Sequence, residues 1–121
     1  MIGLGEDNVL YQKAYAFAVK VVQVYQQLTV EKREFNLSKQ LVRAGTSIGA
    51  NIAEANGGFS KADFAVKMSI SYKECLETKY WLNLLKDTAY LSVESYQDLY
   101  ESADELGRIL YSVVKSSRID K

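Results

Sequence analysis

Apolar residues recur three or four positions apart through most of the chain, which is the spacing of one face of an α-helix. Four stretches show this pattern, and short polar or glycine-rich segments separate them. The predicted helices cover residues 6–28, 37–57, 61–87 and 93–117. Four helices of similar length with short connections predict an all-α fold, an antiparallel up-and-down four-helix bundle that forms a single domain over residues 1–121.

The ends of the second predicted helix are marked by residues that favour helix caps. Asn36 or Ser38 suits its N-cap. The break at Asn56-Gly57-Gly58 predicts a C-terminal glycine in the left-handed conformation. The charged run at residues 31–34, just before this helix, is typical of a solvated loop.

The third predicted helix has a clear start signal. Ser60 suits the N-cap, with Asp63 three residues later at the capping-box position. Phe59 and Phe64 have the spacing of a hydrophobic staple across this cap. We expect these features to fix the direction in which the chain enters the helix.

The segment R-A-G-T-S-I-G-A-N-I-A-E at residues 43–54 differs from the other helical stretches. It carries residues with almost no side chain at every fourth position: Gly45, Gly49 and Ala53. A glycine inside a helix costs about 1 kcal/mol relative to alanine, so another interaction must offset it. We expect this strip to allow close packing of a neighbouring helix.

A polar stripe runs along the same segment, and its members are Arg43, Ser47, Asn51 and Glu54. The first and last of these lie about 16 Å apart along a helix axis, so they cannot pair with each other. One interpretation is a polar network that fixes helix register or subunit orientation. The other is a contact with a ligand or nucleic acid.

The third predicted helix has two apolar sides, and a bundle core buries only one of them. One side contains Phe64, Met68, Cys75 and Leu82. The other side contains the candidate oligomer-interface residues Val66, Ile70, Tyr80, Trp81 and Leu84. The first helix likewise carries an apolar arc wider than one core face needs. We therefore expect the protein to form a homo-oligomer.

The charges balance but are unevenly placed along the chain. Fifteen basic and fifteen acidic residues give a formal net charge of zero, which argues against a strong non-specific grip on nucleic acid. Residues 87–107 contain six carboxylates and no Lys or Arg. Basic residues elsewhere share helix sides with tyrosines and are candidates for contacting a phosphate backbone: Lys13, Lys20, Lys61, Lys79 and Lys86. The alternative is a solubilising surface.

Several kinds of chemistry lack the residues they need. The chain has no histidine, which removes His-dependent nucleophilic catalysis and zinc sites built on histidine. The single cysteine, Cys75, excludes an intramolecular disulfide and a thiolate metal cage. Carboxylate pairs such as Glu74/Glu77 and Glu101/Glu105 are typical of solvated helix faces. We therefore predict no catalytic residues, no metal and no cofactor, and a protein that is not an enzyme.

The compartment is predicted from what the sequence lacks. No apolar run is long enough to span a bilayer, and the N-terminus has no basic-plus-hydrophobic signal. We therefore expect a cytoplasmic protein without a membrane partner.

The residues of the second and third helices resemble a known bacterial family, the four-helix proteins encoded in intervening sequences of 23S rRNA genes. The resemblance rests on E-F-N-L-S-K-Q-L-V-R-A at 34–44, T-S-I-G-A-N-I-A-E-A at 46–55, F-S-K-A-D-F at 59–64 and Y-K-E-C-L-E-T-K-Y-W-L at 72–82. The family is also similar to the accessory variability determinants of diversity-generating retroelements. The resemblance implies a protomer that assembles into a homopentameric ring or barrel. For the retroelement relatives it further implies binding to nucleic acid and to a reverse transcriptase.

Two functional hypotheses follow from the residues and the resemblance together. The first is a non-enzymatic, homo-oligomeric adaptor or scaffold associated with RNA or DNA. The second is a protein-binding or purely structural oligomer without a nucleic-acid role, which the zero net charge and the surplus apolar surface favour. The strongly basic composition of the retroelement relatives is absent from this neutral chain, which weakens the analogy for nucleic acid.

Overall fold

The computed structural model describes residues 8–119 of the chain, which contain four helices joined by short connections. In order these are α1 (Val9–Glu31), α2 (Leu37–Asn56), α3 (Lys61–Asp87) and α4 (Val93–Ile119). The all-α prediction is confirmed. Residues 6 and 7, which the periodicity placed in the first helix, lie outside the described residues. The first helix also runs three residues past its predicted end at Leu28.

The helices pack around the bundle in chain order. Both α1 and α3 pack against α2 and against α4, so α1 and α3 lie at diagonally opposite corners. Ion pairs show that neighbouring helices run antiparallel. Between α1 and α4 they are Lys13–Glu105 and Lys20–Asp98, and between α2 and α3 they are Arg43–Glu74 and Glu54–Lys67. The α1–α2 and α3–α4 connections therefore share one end of the bundle, and the α2–α3 connection lies at the other.

The core takes one stripe from each helix. Its largest fully buried side chains include Phe17, Leu28, Leu41, Ile48, Ile52, Leu82, Leu85, Leu106 and Leu110. On α3 the side with Met68, Cys75 and Leu82 faces this core, which settles which of its two apolar sides is internal. Buried Ser71 donates its hydroxyl to the Ile48 carbonyl at 2.8 Å and so joins α3 to α2 inside the core.

The start of α2 differs from the sequence prediction. Asn36 occupies the N-cap position but makes no side-chain capping bond. Instead the Glu34 carboxylate accepts the backbone N–H groups of Asn36, Leu37 and Ser38 at 3.1, 2.9 and 2.7 Å. The Ser38 hydroxyl donates to the Glu34 carbonyl at 2.6 Å. Glu34 is buried, so residues 31–34 are not simply a solvated loop.

The end of α2 lies at the predicted break, but its glycines do not take the predicted left-handed conformation. Gly57 has φ −97°, and α2 ends in tight turns in which Gly57 and Gly58 donate to carbonyls three residues back. The left-handed conformation occurs instead at Arg33 (φ 52°) and Ala89 (φ 68°). Ala89 stands where a glycine usually ends a helix, because the Tyr90 N–H bonds back to the Leu85 carbonyl.

The start of α3 agrees with the prediction in one respect and not in another. The Ser60 hydroxyl accepts the Asp63 N–H at 3.1 Å, as an N-cap does. Phe59 is 99% exposed, so it does not pack against Phe64, and the predicted staple is wrong. The turn at Gly57 and Gly58 points the Phe59 ring away from the bundle.

Two glycines of α2 lie against α1. A Cβ at Gly45 would come within 2.9–3.3 Å of three atoms of Val21. A Cβ at Gly49 would come 3.5 Å from the Ala14 Cβ, an ordinary contact. Both glycines are buried, whereas Ala53 is exposed. The close approach of α1 and α2 therefore depends on the glycines, and most strongly on Gly45.

We expect alanine at these two glycines to have opposite effects on stability. Gly45→Ala forces a methyl against the stiff, buried Val21 and should destabilise the protein by about 1–3 kcal/mol. Gly49→Ala fits and should gain up to about 1 kcal/mol from helix propensity. Urea unfolding of both variants beside the wild type measures this. Equal stabilisation by both substitutions would contradict the close contact at Gly45.

Candidate functional site: the interaction surfaces

The polar stripe of α2 bonds to α3 at its N-terminal end. Arg43 forms ion pairs with Glu74, at 3.3 Å, and with Glu77. The Trp81 indole N–H donates to the same Glu77 carboxylate at 2.9 Å, and Gln40 accepts from the Arg43 guanidinium. Glu74 and Glu77 were expected on a solvated face. Both are only partly exposed, because they bind the guanidinium from α2.

The other end of the stripe also reaches α3. Glu54 pairs with Lys67 at 2.7 Å. Between the two ends, Ser47 donates to the Arg43 carbonyl and Asn51 donates to the Ser47 carbonyl within α2. Every member of the stripe thus has a partner inside the protomer. These contacts fix the register of α2 on α3 from a partly exposed position.

Four of the five candidate nucleic-acid lysines are paired with carboxylates. The pairs are Lys13–Glu105 at 3.0 Å, Lys20–Asp98 at 3.1 Å, Lys79–Asp104 at 2.9 Å and Lys86–Asp87 at 3.7 Å. Three of these four carboxylates lie on α4, within the acidic segment that the sequence showed. These four lysines of the expected basic surface are therefore neutralised. Lys13, Lys20 and Lys79 reach the acidic α4, and Lys86 pairs with its neighbour Asp87 at the end of α3.

The lysines of α3 also contact tyrosines of α4. Lys79 lies 5.0 Å from the Tyr100 ring centre, and Lys86 lies 4.4 Å from that of Tyr96. The hydrogen bond with Asp104 raises the pKa of Lys79 above its usual value. These tyrosines are consequently occupied within the bundle. Lys61 differs from the other four candidates, since it is exposed and makes no ion pair with any described residue.

The outer face of α3 carries several exposed apolar side chains, with the exposed Lys73 among them. Val66 is 57% exposed and Tyr80 is 58% exposed, and Ile70 also reaches solvent. Leu76, which the sequence reasoning did not include, is exposed beside them. Trp81 and Leu84 are half-buried, and Trp81 packs against the core. The candidate interface residues therefore divide into an exposed set and a set that also supports the protomer.

A second apolar outer face lies on α1. Tyr15, Val19 and Val22 are spaced along one side of the helix and are all exposed, and with Ala18 and Gln23 they line a shallow depression. Lys13 and Lys20 are the charged residues of α1 before Glu31, and both reach toward α4. The outer face of α1 thus carries no charge. The sequence predicted a wide apolar arc on the first helix, but no residue of this helix was among the candidate interface residues.

Cys75 is held inside the bundle. Its thiol is fully buried and donates to the Ala103 carbonyl at 3.1 Å. Burial raises the pKa of the Cys75 thiol to about 11, so the thiolate that reacts with electrophiles and metals is disfavoured. A Cβ at Gly107 would come 3.4 Å from the Cys75 sulfur, which marks a close approach of α3 and α4.

No group of histidine, cysteine or acidic side chains within residues 8–119 has an arrangement that could hold a metal ion.

Among the helices that the structure describes, none has an apolar stretch long enough to cross a bilayer.

The fold and these surfaces define a four-helix protein whose polar stripe joins α2 to α3 and whose α1 and α3 carry exposed apolar side chains on their outer faces. The chain belongs to the 23S rRNA-intervening sequence protein family, whose sequence profile matches residues 6–112. It is similar to a crystal structure of a protein of unknown function from the S23 ribosomal protein family of Bacteroides thetaiotaomicron. The two are 45% identical with a TM-score of 0.87, over 88% of this chain and 99% of the other. No curated protein matches the chain.

Proposed function

We propose that the protein is a non-enzymatic homo-oligomeric scaffold whose protomers associate side by side in a closed ring. The observation that carries the proposal is the pair of apolar outer faces on α1 and α3, with Tyr15 61% and Val66 57% exposed. Such faces are costly in water and are typical of protein interaction sites. Burying them against further copies of the chain removes this cost.

The positions of the two faces favour a ring over a two-fold dimer. They lie at diagonally opposite corners of the bundle and differ in sequence. If the α1 face of one copy packs against the α3 face of the next, each copy still presents one free face of each kind. Such head-to-tail contacts form a ring when the rotation between neighbouring copies closes, and an open filament when it does not. The resemblance to the family implies five copies, and we propose this number.

We expect light scattering coupled to size exclusion to detect this assembly. A pentamer has five times the 13.6 kDa mass of one chain. A single species of that mass at micromolar concentration supports the proposal. A monodisperse monomer under the same conditions overturns it, and a stable dimer overturns the ring while keeping self-association.

A second candidate function is an adaptor associated with RNA or DNA, which membership of a family described by its rRNA intervening sequence favours. The ion pairs of Lys13, Lys20, Lys79 and Lys86 argue against a contact along the helix faces. Any nucleic-acid contact then needs unpaired cations elsewhere on the protomer. The similarity to retroelement accessory proteins, with their reverse transcriptase partner, stays a prediction.

Co-purification from the native host, with bound nucleic acid and bound protein both sequenced, separates the two candidates. Recovery of a defined RNA or DNA supports the adaptor. Recovery of a protein partner without nucleic acid supports a protein-binding scaffold, and recovery of neither supports a purely structural oligomer.

A further inference from the structure

The corner that joins α1 to α2, residues 30–39, carries unpaired cations. Lys32, Arg33 and Lys39 are exposed, and none of them makes an ion pair with a described residue. This distinguishes them from four lysines of the helix faces that acidic side chains neutralise, Lys13, Lys20, Lys79 and Lys86. We call residues 30–39 the α1–α2 corner.

The two carboxylates of the corner do not cancel these charges. Glu34 is buried, and both of its oxygens accept backbone N–H groups at the start of α2. Only Glu31 leaves a carboxylate in solvent within this segment. Three solvent-facing cations against one solvent-facing carboxylate make the corner locally basic in a chain whose net charge is zero.

An aromatic ring lies beside one of the cations. Phe35 is 54% exposed, and the Arg33 guanidinium lies 6.0 Å from the centre of its ring. The backbone of Arg33 has φ 52°, a left-handed conformation that residues other than glycine rarely adopt. The Glu34 N–H, bonded to the Leu28 carbonyl at 3.1 Å, holds this turn in place. The turn thereby presents a planar cation and an aromatic ring together to solvent.

We propose that the α1–α2 corner binds single-stranded nucleic acid, with its three cations contacting phosphates and Phe35 stacking on a base. Proteins that bind single strands combine cations that follow the backbone with aromatic rings on which bases stack. Acidic side chains of a peptide could pair with the cations, but they would not stack on the Phe35 side chain. The inference rests on the nucleic-acid role proposed above and is independent of the ring assembly.

The test is the binding of a short fluorescein-labelled single-stranded RNA of mixed sequence to the full chain. Fluorescence anisotropy is followed at low salt and then over a salt series. The wild type should bind at low salt and should lose affinity as salt rises, because phosphate contacts release counterions. Absence of binding at low salt overturns both the corner site and the nucleic-acid role.

The discriminating variant combines Arg33→Gly with Lys39→Gln. Glycine adopts the left-handed conformation freely, so the turn should persist without the guanidinium. We expect the double variant to bind about tenfold more weakly or worse, and its log–log salt slope to become shallower by about one to two. Circular dichroism and light scattering on the same samples verify fold and assembly.

The matched control combines Lys61→Gln with Lys115→Gln. It removes two exposed lysines at the opposite end of the bundle that form no ion pair with a described residue. Binding by the control should equal that of the wild type. If the control pair loses binding and the corner variant keeps it, the corner assignment fails while the nucleic-acid role stands. Equal losses in both variants overturn the corner site as well.

Phe35→Leu tests the stacking contact separately. It should weaken binding several-fold without changing the salt slope, because it removes a ring and no charge. Unlabelled poly-glutamate should not displace the RNA at equal charge concentration. Displacement by poly-glutamate together with unchanged binding by Phe35→Leu overturns the proposal in favour of an acidic protein partner.

Discussion

Placing glutamate on either apolar outer face is expected to dissociate the assembly into folded monomers. Val22→Glu changes the α1 face, and Ile70→Glu changes the α3 face. Each adds a carboxylate to an interface, and taking that charge out of water costs several kcal/mol. Both sites are exposed in the protomer, so helix content and thermal unfolding should stay close to wild type. Light scattering then reads the mass directly.

A mixture of the two variants tests the head-to-tail arrangement. Val22→Glu keeps an intact α3 face, and Ile70→Glu keeps an intact α1 face. Together they can form one wild-type contact and no second one, so equimolar mixing should give a heterodimer and nothing larger. If each face instead packs against its own kind, each variant alone stays a dimer, and the ring is excluded.

The control for both variants places the same charge where no contact is proposed. Gln97 lies on the exposed, charged outer side of α4, so Gln97→Glu should leave the mass of the assembly unchanged. Trp81 is unsuitable as an interface probe, because it is half-buried against the core and bonds to Glu77. A charge at Trp81 would confuse loss of assembly with loss of fold.

The four helices could be predicted from the sequence because their core residues follow the helical period. The predicted range 61–87 coincides with α3, and the range 37–57 ends one residue beyond α2. Periodicity counts apolar residues only. It therefore missed Ser71 and Thr78, which lie on the buried side of α3 and donate to backbone carbonyls at 2.8 and 2.7 Å.

The lysines illustrate a different limit of sequence reasoning. Helical spacing places Lys61, Lys79 and Lys86 on one side of α3, with Tyr72 expected close by. The rings that contact Lys79 and Lys86 belong instead to Tyr100 and Tyr96 of α4. Helical spacing could not show that this side meets α4, where Asp104 and the Tyr96 ring contact them. Which faces meet is decided by packing between segments distant in the chain. A basic stripe in one helix therefore cannot be interpreted until the acidic segment elsewhere has been positioned.

The α1–α2 corner could not be predicted for the same reason, because packing decides which side chains are buried. From the sequence, all the charged residues at 31–34 are expected to be solvated, since nothing local shows which side chain turns inward. The left-handed backbone of Arg33 is what separates Glu34, buried beneath α2, from its exposed neighbours. One unusual backbone angle thus divides a charged run into a structural carboxylate and a basic surface.

Glu34→Ala is expected to destabilise the protomer by about 2–3 kcal/mol. The substitution removes the acceptor for three N–H groups at the start of α2, and the Ser38 N–H among them is buried. A lost helix cap costs about 0.5–2 kcal/mol, and a buried donor left unpaired adds to it. Urea unfolding measures the loss. Glu31→Ala removes an exposed carboxylate three residues earlier and should change stability by less than about 0.5 kcal/mol.

The contribution of Glu34 should also depend on pH. Burial opposes ionisation of Glu34, but the backbone N–H groups of Leu37, Ser38 and Asn36 hold its pKa below the ordinary value of 4.5. Since the folded pKa is the lower one, the contribution is fully present above pH 4.5 and is lost as pH falls through the folded value. Glu34→Gln carries no such charge, so its stability deficit against the wild type should shrink on acidification below pH 4.5. A deficit that stays constant from neutral to acidic pH would show that the carboxylate charge is not what caps α2.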